Sequence, residues 1–274
     1  MDFEINKKNI LLTGATKGLG FEILNYYVSK GYNLILISKN KKKLLNLKKK
    51  YKKIINLNIF AVDLAKVERL NNTIKKIIKK FKKIDILINN AGVWGPIGNF
   101  DKNNWKKWLE ALNINLISSS YLIKSVLPIM KKNNFGRIVQ LSGGGATSPM
   151  PNFSSYAVSK TAVVRLVETI SEECRSFNIN INAVAPGPMN TNMLNIALKS
   201  GKEKVGENHY NKLLKQKKKG GVGFYRTLSL IDFLIRNRKV SGKLISAIWD
   251  PWNKMNFKKK IKNKDIYTLR RKLI

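Results

Sequence analysis

Cysteine, histidine and acidic residues are all scarce in this chain of 274 residues. Cys174 is the only cysteine and His209 the only histidine. One cysteine cannot close an internal disulfide, which fits a reducing compartment. The pair cannot assemble a metal site with ordinary ligand spacing, so no metal is expected. No apolar run approaches the ~20 residues of a membrane helix. The start, Met1-Asp2-Phe3-Glu4, lacks the basic-then-apolar pattern of a signal peptide. These absences lead to the expectation of a cytoplasmic protein without a membrane span.

Asp and Glu together number 16 against 53 Lys and Arg, a formal net charge of +37. Such an excess raises the idea of a nucleic-acid or anionic-surface partner. Composition offers a plainer origin. Lysine far outnumbers arginine, and asparagine and isoleucine are abundant, as AT-rich codons produce. The lysines are spread along helical faces, at Lys41 to Lys43, Lys48 to Lys50, Lys75, Lys76, Lys79, Lys80, Lys82 and Lys83. Runs of this kind form solvated faces. The aromatics fall in apolar segments rather than among the basic residues, unlike base-stacking proteins. No specific nucleic acid is expected as a partner, only non-specific polyanion binding at low salt.

What is present is a regular alternation of apolar strands and amphipathic helices. Strands are expected at Asn9–Thr13, Tyr32–Ile37, Asn58–Val62, Asp85–Ile88, Arg137–Leu141, Ile179–Ala185 and Leu244–Trp249. Helices are expected up to Lys30, over Lys41–Lys53, Lys66–Lys80, Asn103–Met130, Phe153–Phe177 and Tyr225–Asn237. This β-α-β order implies an α/β fold with a parallel sheet of about seven strands and helices on both faces. Hydrophobic residues make up 43% of the chain, enough for one sizeable core. Residues 1–252 read as one catalytic domain. Within it, 190–224 breaks the rhythm as a lysine-rich, largely helical lid, and 253–274 reads as a basic tail.

Thr13-Gly14-Ala15-Thr16-Lys17-Gly18-Leu19-Gly20 joins the first strand to the first helix. Glycines there allow a tight turn and close approach of the backbone to a pyrophosphate, and the helix N-terminus adds amide donors. About 140 residues on, Tyr156 and Lys160 stand four apart in a helical segment and share one face. A nearby cation favours a phenolate, which would make the pair a proton-transfer device.

These motifs, with Asn89-Asn90-Ala91-Gly92 between them, resemble the short-chain dehydrogenase/reductase family over about residues 8–250. The resemblance implies a doubly wound Rossmann fold and hydride transfer between nicotinamide and a carbonyl or secondary alcohol. It implies Tyr156 as general acid or base, with Lys160 holding the nicotinamide ribose and lowering the tyrosine pKa. Asn115 would hold a water in the proton relay. The family serine is the departure: its spacing lands on Gly143, with Ser142 one residue earlier. Either the loop brings Ser142 into place or the hydroxyl is missing.

By the same resemblance Thr13, Gly14, Thr16, Lys17, Gly18, Leu19 and Gly20 cradle the cofactor. Asp63 would contact its adenine, Asn89, Ala91 and Gly92 would lie beside the adenine ribose, and Pro186, Gly187 and Thr191 would meet the nicotinamide. At the end of the second strand an acid selects NAD and basic residues accommodate NADP. That stretch reads Ser38-Lys39-Asn40, with Lys17 nearby, so NADP is preferred over NAD. A 3-oxoacyl thioester reductase is the leading expectation, its acidic carrier suiting a basic surface. A sugar or nucleotide-sugar oxidoreductase is the alternative, the lid lysines suiting a phosphorylated substrate. From another class, a cofactor-binding regulator or nucleic-acid-associated protein with weakened catalysis would also carry Gly143. Family members are commonly homodimers or homotetramers. Trp94 is noted as a residue that could border the substrate.

Overall fold

The computed structural model describes residues 8–54, 56–254, 257, 261 and 265–270. Most of the expected basic tail and the opening Met1 to Glu4 therefore lie outside the described residues. Seven parallel strands form one sheet: β1 (Asn9–Thr13), β2 (Asn33–Ser38), β3 (Leu57–Ala61), β4 (Ile86–Asn89), β5 (Gly136–Leu141), β6 (Ile179–Ala185) and β7 (Leu244–Ser246). Their spatial order is β3-β2-β1-β4-β5-β6-β7. The order reverses between β1 and β4, and a crevice opens at the C-terminal ends of the strands there.

Helices cover both faces. On one side lie α1 (Gly18–Val28), α2 (Lys41–Tyr51) and α10 (Tyr225–Arg236), and on the other α3 (Val67–Phe81), α5 (Ser118–Lys132) and α6 (Ser154–Glu173). Strand alternation decides which residue meets which layer. Ile10 and Leu12 pack with Ile23, Leu24 and Ile231, whereas Leu11 between them packs with Leu70, Ile74 and Leu122. Both faces are buried under helices, so the strands read as near-continuous apolar runs.

Two elements differ from expectation. The long helix expected over Asn103–Met130 is divided into α4 (Trp105–Leu112), a π turn at Asn113–Ile117 and α5. Three consecutive serines explain the break. The hydroxyls of Ser118, Ser119 and Ser120 donate to the carbonyls of Ile114, Asn115 and Leu116 at 2.7, 3.0 and 2.7 Å. Such back-bonding competes with the α ladder, and the wider turn faces Asn115 inward. The last strand is three residues rather than six. The Asp250 carboxylate accepts the Ser246 N–H at 2.6 Å, and the Ser246 hydroxyl accepts the N–H groups of Ile248 and Trp249. The chain turns where the ladder would have continued.

After β6 come three helices, α7 (Asn192–Lys199), α8 (Lys202–Val205) and α9 (Glu207–Lys219). Leu194, Ala197, Val205 and Leu213 form a third small core with Phe153 and Tyr156. No helix among the described residues is long and apolar enough to cross a membrane.

Candidate active site

A cavity of about 910 Å³ runs along the C-terminal ends of the strands. One end is the loop between β1 and α1. Gly14 and Gly18 take φ of +71° and +52°, which side chains resist. Gly20 is constrained differently: a Cβ there would lie 2.2 Å from the Gly14 carbonyl oxygen. Gly14, Thr16, Lys17, Gly18, Leu19 and Gly20 line the cavity, the three glycines with no side chain over their backbone. This is a cradle a phosphate can approach at the N-terminus of α1. Thr13 lies behind it, 2% exposed, its hydroxyl accepting the N–H groups of Asn90 and Ala91 at 3.0 and 3.1 Å. Thr13 thus supports the cradle rather than lining it.

At the end of the cavity beside β2, the Thr16 and Ser38 hydroxyls share a hydrogen bond of 3.1 Å. The Lys39 ammonium sits 2.6 Å from the Asp63 carboxylate, so two residues expected to contact the cofactor separately are paired. Burial pushes the Asp63 carboxyl up, but the hydrogen bonds from Lys39 and the Ala65 amide outweigh it and hold its pKa low. The Lys39 side chain is 72% exposed, and such a pair is weak enough for an incoming anion to displace.

Asn89 does not line the cavity. It is the last residue of β4, 2% exposed, and donates its amide to the Ser119 carbonyl at 3.1 Å. The next residue, Asn90, faces the cavity and donates to the carbonyls of Thr13 and Gly14 at 3.0 and 3.3 Å. Asn90 was missed in the sequence although it stands in the quoted motif. Ala91, Gly92, Pro186, Gly187 and Thr191 line the cavity as expected.

At the centre stand Tyr156 and Lys160, one turn apart on α6 and both buried. The Lys160 ammonium donates to the Leu141 carbonyl at 2.8 Å and lies 5.5 Å from the Tyr156 ring centroid. Asn115 is 1% exposed, with its side chain fully engaged. Its Oδ1 accepts the Val93 N–H at 2.9 Å, and its Nδ2 donates to the Val93 carbonyl and the Ser159 hydroxyl. It pins the loop after β4 instead of offering a free amide to a relay water.

Ser142 does not take the place of the expected serine. Its hydroxyl donates to the Lys160 carbonyl at 3.3 Å, toward the α6 backbone. The position facing the phenol belongs to Gly143, where a Cβ would stand 2.2 Å from the Tyr156 hydroxyl oxygen. The phenol fills the room that a side chain at 143 would need.

Burial governs both central groups. It pushes the Tyr156 phenol up and the Lys160 ammonium down to about 8. The expected lowering of the phenol by its lysine is not what this geometry gives, because desolvation dominates at that depth. Lys160 therefore opposes folding below pH 8, where it is charged in both states but desolvated only in the folded one. Between pH 8 and its ordinary 10.5 the opposition fades, and above 10.5 it is gone. Lys160→Met is expected to raise thermal stability at pH 7 by on the order of 3 kcal/mol, with the gain shrinking toward pH 10. Melting curves at the two pH values check this. A lower midpoint at pH 7 would mean that the Leu141 hydrogen bond outweighs desolvation.

The wall opposite α6 is apolar. The Trp94 ring packs on Tyr156 with centroids 4.4 Å apart, and its indole N–H donates to the Met193 carbonyl of α7 at 2.7 Å. Met150, Leu194 and Leu213 continue this wall. The lysines of α9 point away from it: Lys212, Lys215, Lys217, Lys218 and Lys219 are exposed and none lines the cavity. The expected phosphate contacts from these lysines are absent from the cavity wall, since the amphipathic helix turns its apolar side inward. Trp249 borders the cavity mouth, while Trp252 is buried. No cluster of potential metal ligands occurs among the described residues.

Comparison with known proteins gives one answer at several levels. The family model for short chain dehydrogenase matches residues 8–200. The 3-oxoacyl acyl-carrier-protein reductase FabG of Buchnera aphidicola is 34% identical over 192 residues, covering 69% of this chain and 77% of that protein. The matched region spans only 61% of the length of two further curated relatives, from Schizosaccharomyces pombe and Arabidopsis thaliana. Among solved structures, ElxO with NADP bound superposes with a TM-score of 0.75 at 27% identity, covering 88% of this chain and 97% of the other. NAD+-bound xylitol dehydrogenase superposes with a TM-score of 0.79 at 24% identity, covering 89% and 98%, and attests the shared fold. With the glycine cradle, the parallel sheet and the tyrosine–lysine turn agreeing with these matches, the chain belongs to the short-chain dehydrogenase/reductase family of oxidoreductases.

Proposed function

We propose that the protein is an NADP-preferring carbonyl reductase acting on 3-oxoacyl thioesters. The observation that carries this reading is one continuous cavity. It joins the glycine cradle to Tyr156 and Lys160 and ends in an apolar wall of Trp94, Met150, Met193, Leu194 and Leu213. The dinucleotide, when bound, supplies the hydride. The backbone from Gly14 to Gly20 would hold its pyrophosphate, and Gly187 and Thr191 its nicotinamide end. Tyr156 would donate a proton to the substrate oxygen. A phenol is protonated near neutrality and can serve as the general acid in the reductive direction. Lys160, still mostly charged at pH 7, would hold the ribose hydroxyls.

Asn115 is a positioning residue in this scheme, since it fixes Val93 and the loop that carries Trp94. Helices α7 to α9, within 190–224, serve as the lid. Their apolar inner face supports an acyl substrate over a sugar phosphate, and the basic exterior suits an acidic carrier. Exposed Phe100, Trp105, Leu109 and Ile117 support assembly as a homodimer or homotetramer. A cytoplasmic setting remains our reading.

Two measurements test this. NADPH consumption with an acetoacetyl thioester is expected to exceed that with sugar ketones by at least about tenfold. Faster turnover of the sugar ketones would overturn the substrate reading. In calorimetry, NADPH should bind more tightly than NADH. Lys39→Ala should weaken NADPH by roughly tenfold, the loss of one charge-assisted hydrogen bond, and leave NADH nearly unchanged. Equal losses for both cofactors would remove Lys39 from the preference.

A further inference from the structure

Negative charge grows on a carbonyl oxygen as hydride adds to its carbon, and fixed donors aimed at that oxygen lower the barrier. Around the phenol the polar side chains turn elsewhere. Ser142 gives its hydroxyl to the Lys160 carbonyl, Lys160 donates to the Leu141 carbonyl, and Asn115 is bonded to Val93 and Ser159. The wall beside the phenol is backbone, and Gly143 and Gly144 both line the cavity. A Cβ on Gly143 would stand 2.2 Å from the Tyr156 hydroxyl oxygen. The Gly144 nitrogen is three bonds from that Cβ position, so it lies within about 6 Å of the phenol oxygen. Two donors that close can share one acceptor oxygen between them. The loop here is a tight turn. The Ala146 N–H donates to the Gly143 carbonyl at 3.3 Å, Gly145 takes φ of +85°, and Gly144 stays out of the positive range. This is the pattern of a type II turn with Gly144 in second place. The turn's own bond leaves the Gly144 N–H outside it, and no acceptor among the described residues takes that N–H. Contacts with α6 hold the turn in place. The Thr161 hydroxyl lies 3.2 Å from the carbonyls of both Gly145 and Ala146, and a Cβ on Gly145 would stand 3.0 Å from the Ala157 Cβ.

We infer that the backbone N–H of Gly144 is a catalytic hydrogen-bond donor to the substrate carbonyl oxygen, acting beside the Tyr156 hydroxyl. The inference rests on the carbonyl-reductase reading above and adds a second donor to it. Hydride adds to the carbonyl carbon, the π pair of the C=O bond moves onto oxygen, and that oxygen takes the Tyr156 proton. The reduced dinucleotide is the reductant and is oxidised in the same step. Gly144 gives up no proton. Its N–H holds the charge that builds on oxygen, an interaction stronger in the transition state than with the ketone. A backbone donor accounts for a site with no hydroxyl at 143: the phenol fills the room a side chain there would need, and the next N–H along the chain serves instead. Anchored to the helix that carries Tyr156, this dipole needs no reorganisation during the reaction.

The turn type supplies the test. Proline is favoured in second place of a type II turn, so Gly144→Pro keeps the turn and removes the N–H, whereas Gly144→Ala keeps both. With NADPH and an acetoacetyl thioester, kcat of Gly144→Pro should fall about 100-fold below that of Gly144→Ala, with KM and NADPH affinity alike in the two. Equal kcat in both variants overturns the proposal. A difference confined to KM also overturns it, since that marks a ring in the substrate's way. Melting curves show whether the proline variant folds. A second readout needs neither turnover nor that variant. Protein isotopically labelled at its glycine nitrogens gives one NMR amide signal per glycine, and the signal lost in Gly144→Ala identifies Gly144. In the NADP+-loaded wild type the thioester cannot be reduced, and it should move the Gly144 amide proton to lower field, as a new hydrogen bond does. A Gly144 signal that stays in place refutes the role. If the wild type reduces no thioester with NADPH, the reductase reading fails for that substrate, and the Gly144 signal still decides whether its N–H meets a carbonyl.

Discussion

Tyr156→Phe should lower kcat by about 10²- to 10⁴-fold, the usual contribution of a positioned acid, while leaving NADPH affinity unchanged. The substitution is unusually clean in this setting. The Tyr156 ring packs against Trp94 and shares a small core with Phe153, Leu194 and Leu213, and phenylalanine keeps all of that. Only the hydroxyl beside Gly143 is lost. The Lys160 ammonium keeps its Leu141 carbonyl, so the lysine does not have to reorganise. Stability should hold or rise slightly, because a buried hydroxyl is removed. Single-turnover kinetics with saturating NADPH, read beside a melting curve, separate the chemical loss from a folding defect. Full turnover in the variant would sink the proton-transfer assignment. A loss confined to KM would recast the phenol as a binding group.

Gly20→Ala should weaken cofactor binding by at least about 100-fold and destabilise the fold by about 1–3 kcal/mol, the ordinary range for overpacking. The added carbon would stand 2.2 Å from the Gly14 carbonyl oxygen, 2.4 Å from the Asn90 amide nitrogen and 2.9 Å from the Gly14 carbonyl carbon. Two of those atoms are backbone and cannot swing aside. Relief requires moving Gly14, whose N–H is bonded to Ile37 at 2.9 Å, so the cradle and the sheet edge shift together. Gly144 is the natural control, since a Cβ there meets nothing within 4 Å. Gly144→Ala should bind NADPH as wild type does. Calorimetry on both variants decides the point, and equal behaviour of the two would show that the cradle yields more easily than its backbone contacts imply.

Much of this was legible in the chain because it rests on local rules. The glycine spacing needs only the steric limits of a turn, and the Tyr156–Lys160 pairing needs only helical periodicity. What escaped depends on direction rather than position. Asn89 and Asn90 are neighbours, but a strand sends successive side chains to opposite sides, so a shift of one residue exchanges a sheet-supporting amide for a cavity-facing one. Ser142 and Gly143 differ in the same way at the end of β5. The π turn at Asn113–Ile117 escaped because apolar spacing alone reads as one continuous helix, and the serine back-bonds that widen it leave no periodic mark. The lid lysines misled in the opposite sense. Their number suggested a phosphate site, yet amphipathicity sent every lysine of α9 outward. The pKa directions also needed depth, which composition does not carry.

The strand order has a consequence for how the protein is made. The cradle at residues 14–20 is propped by Asn90, more than seventy residues later in the chain. Its sheet neighbour on that side, β4, arrives in the same stretch. A nascent chain therefore carries an unfinished nucleotide cradle until Asn90 has emerged. The tyrosine and lysine follow only after β5, and the wall that seals the cavity after β6. Pairing between strands so distant in sequence is slow, and chains of this size gather partly folded intermediates on the way. A dinucleotide that binds only the completed cradle would trap the finished fold, so refolding yield should depend on the cell's cofactor pool.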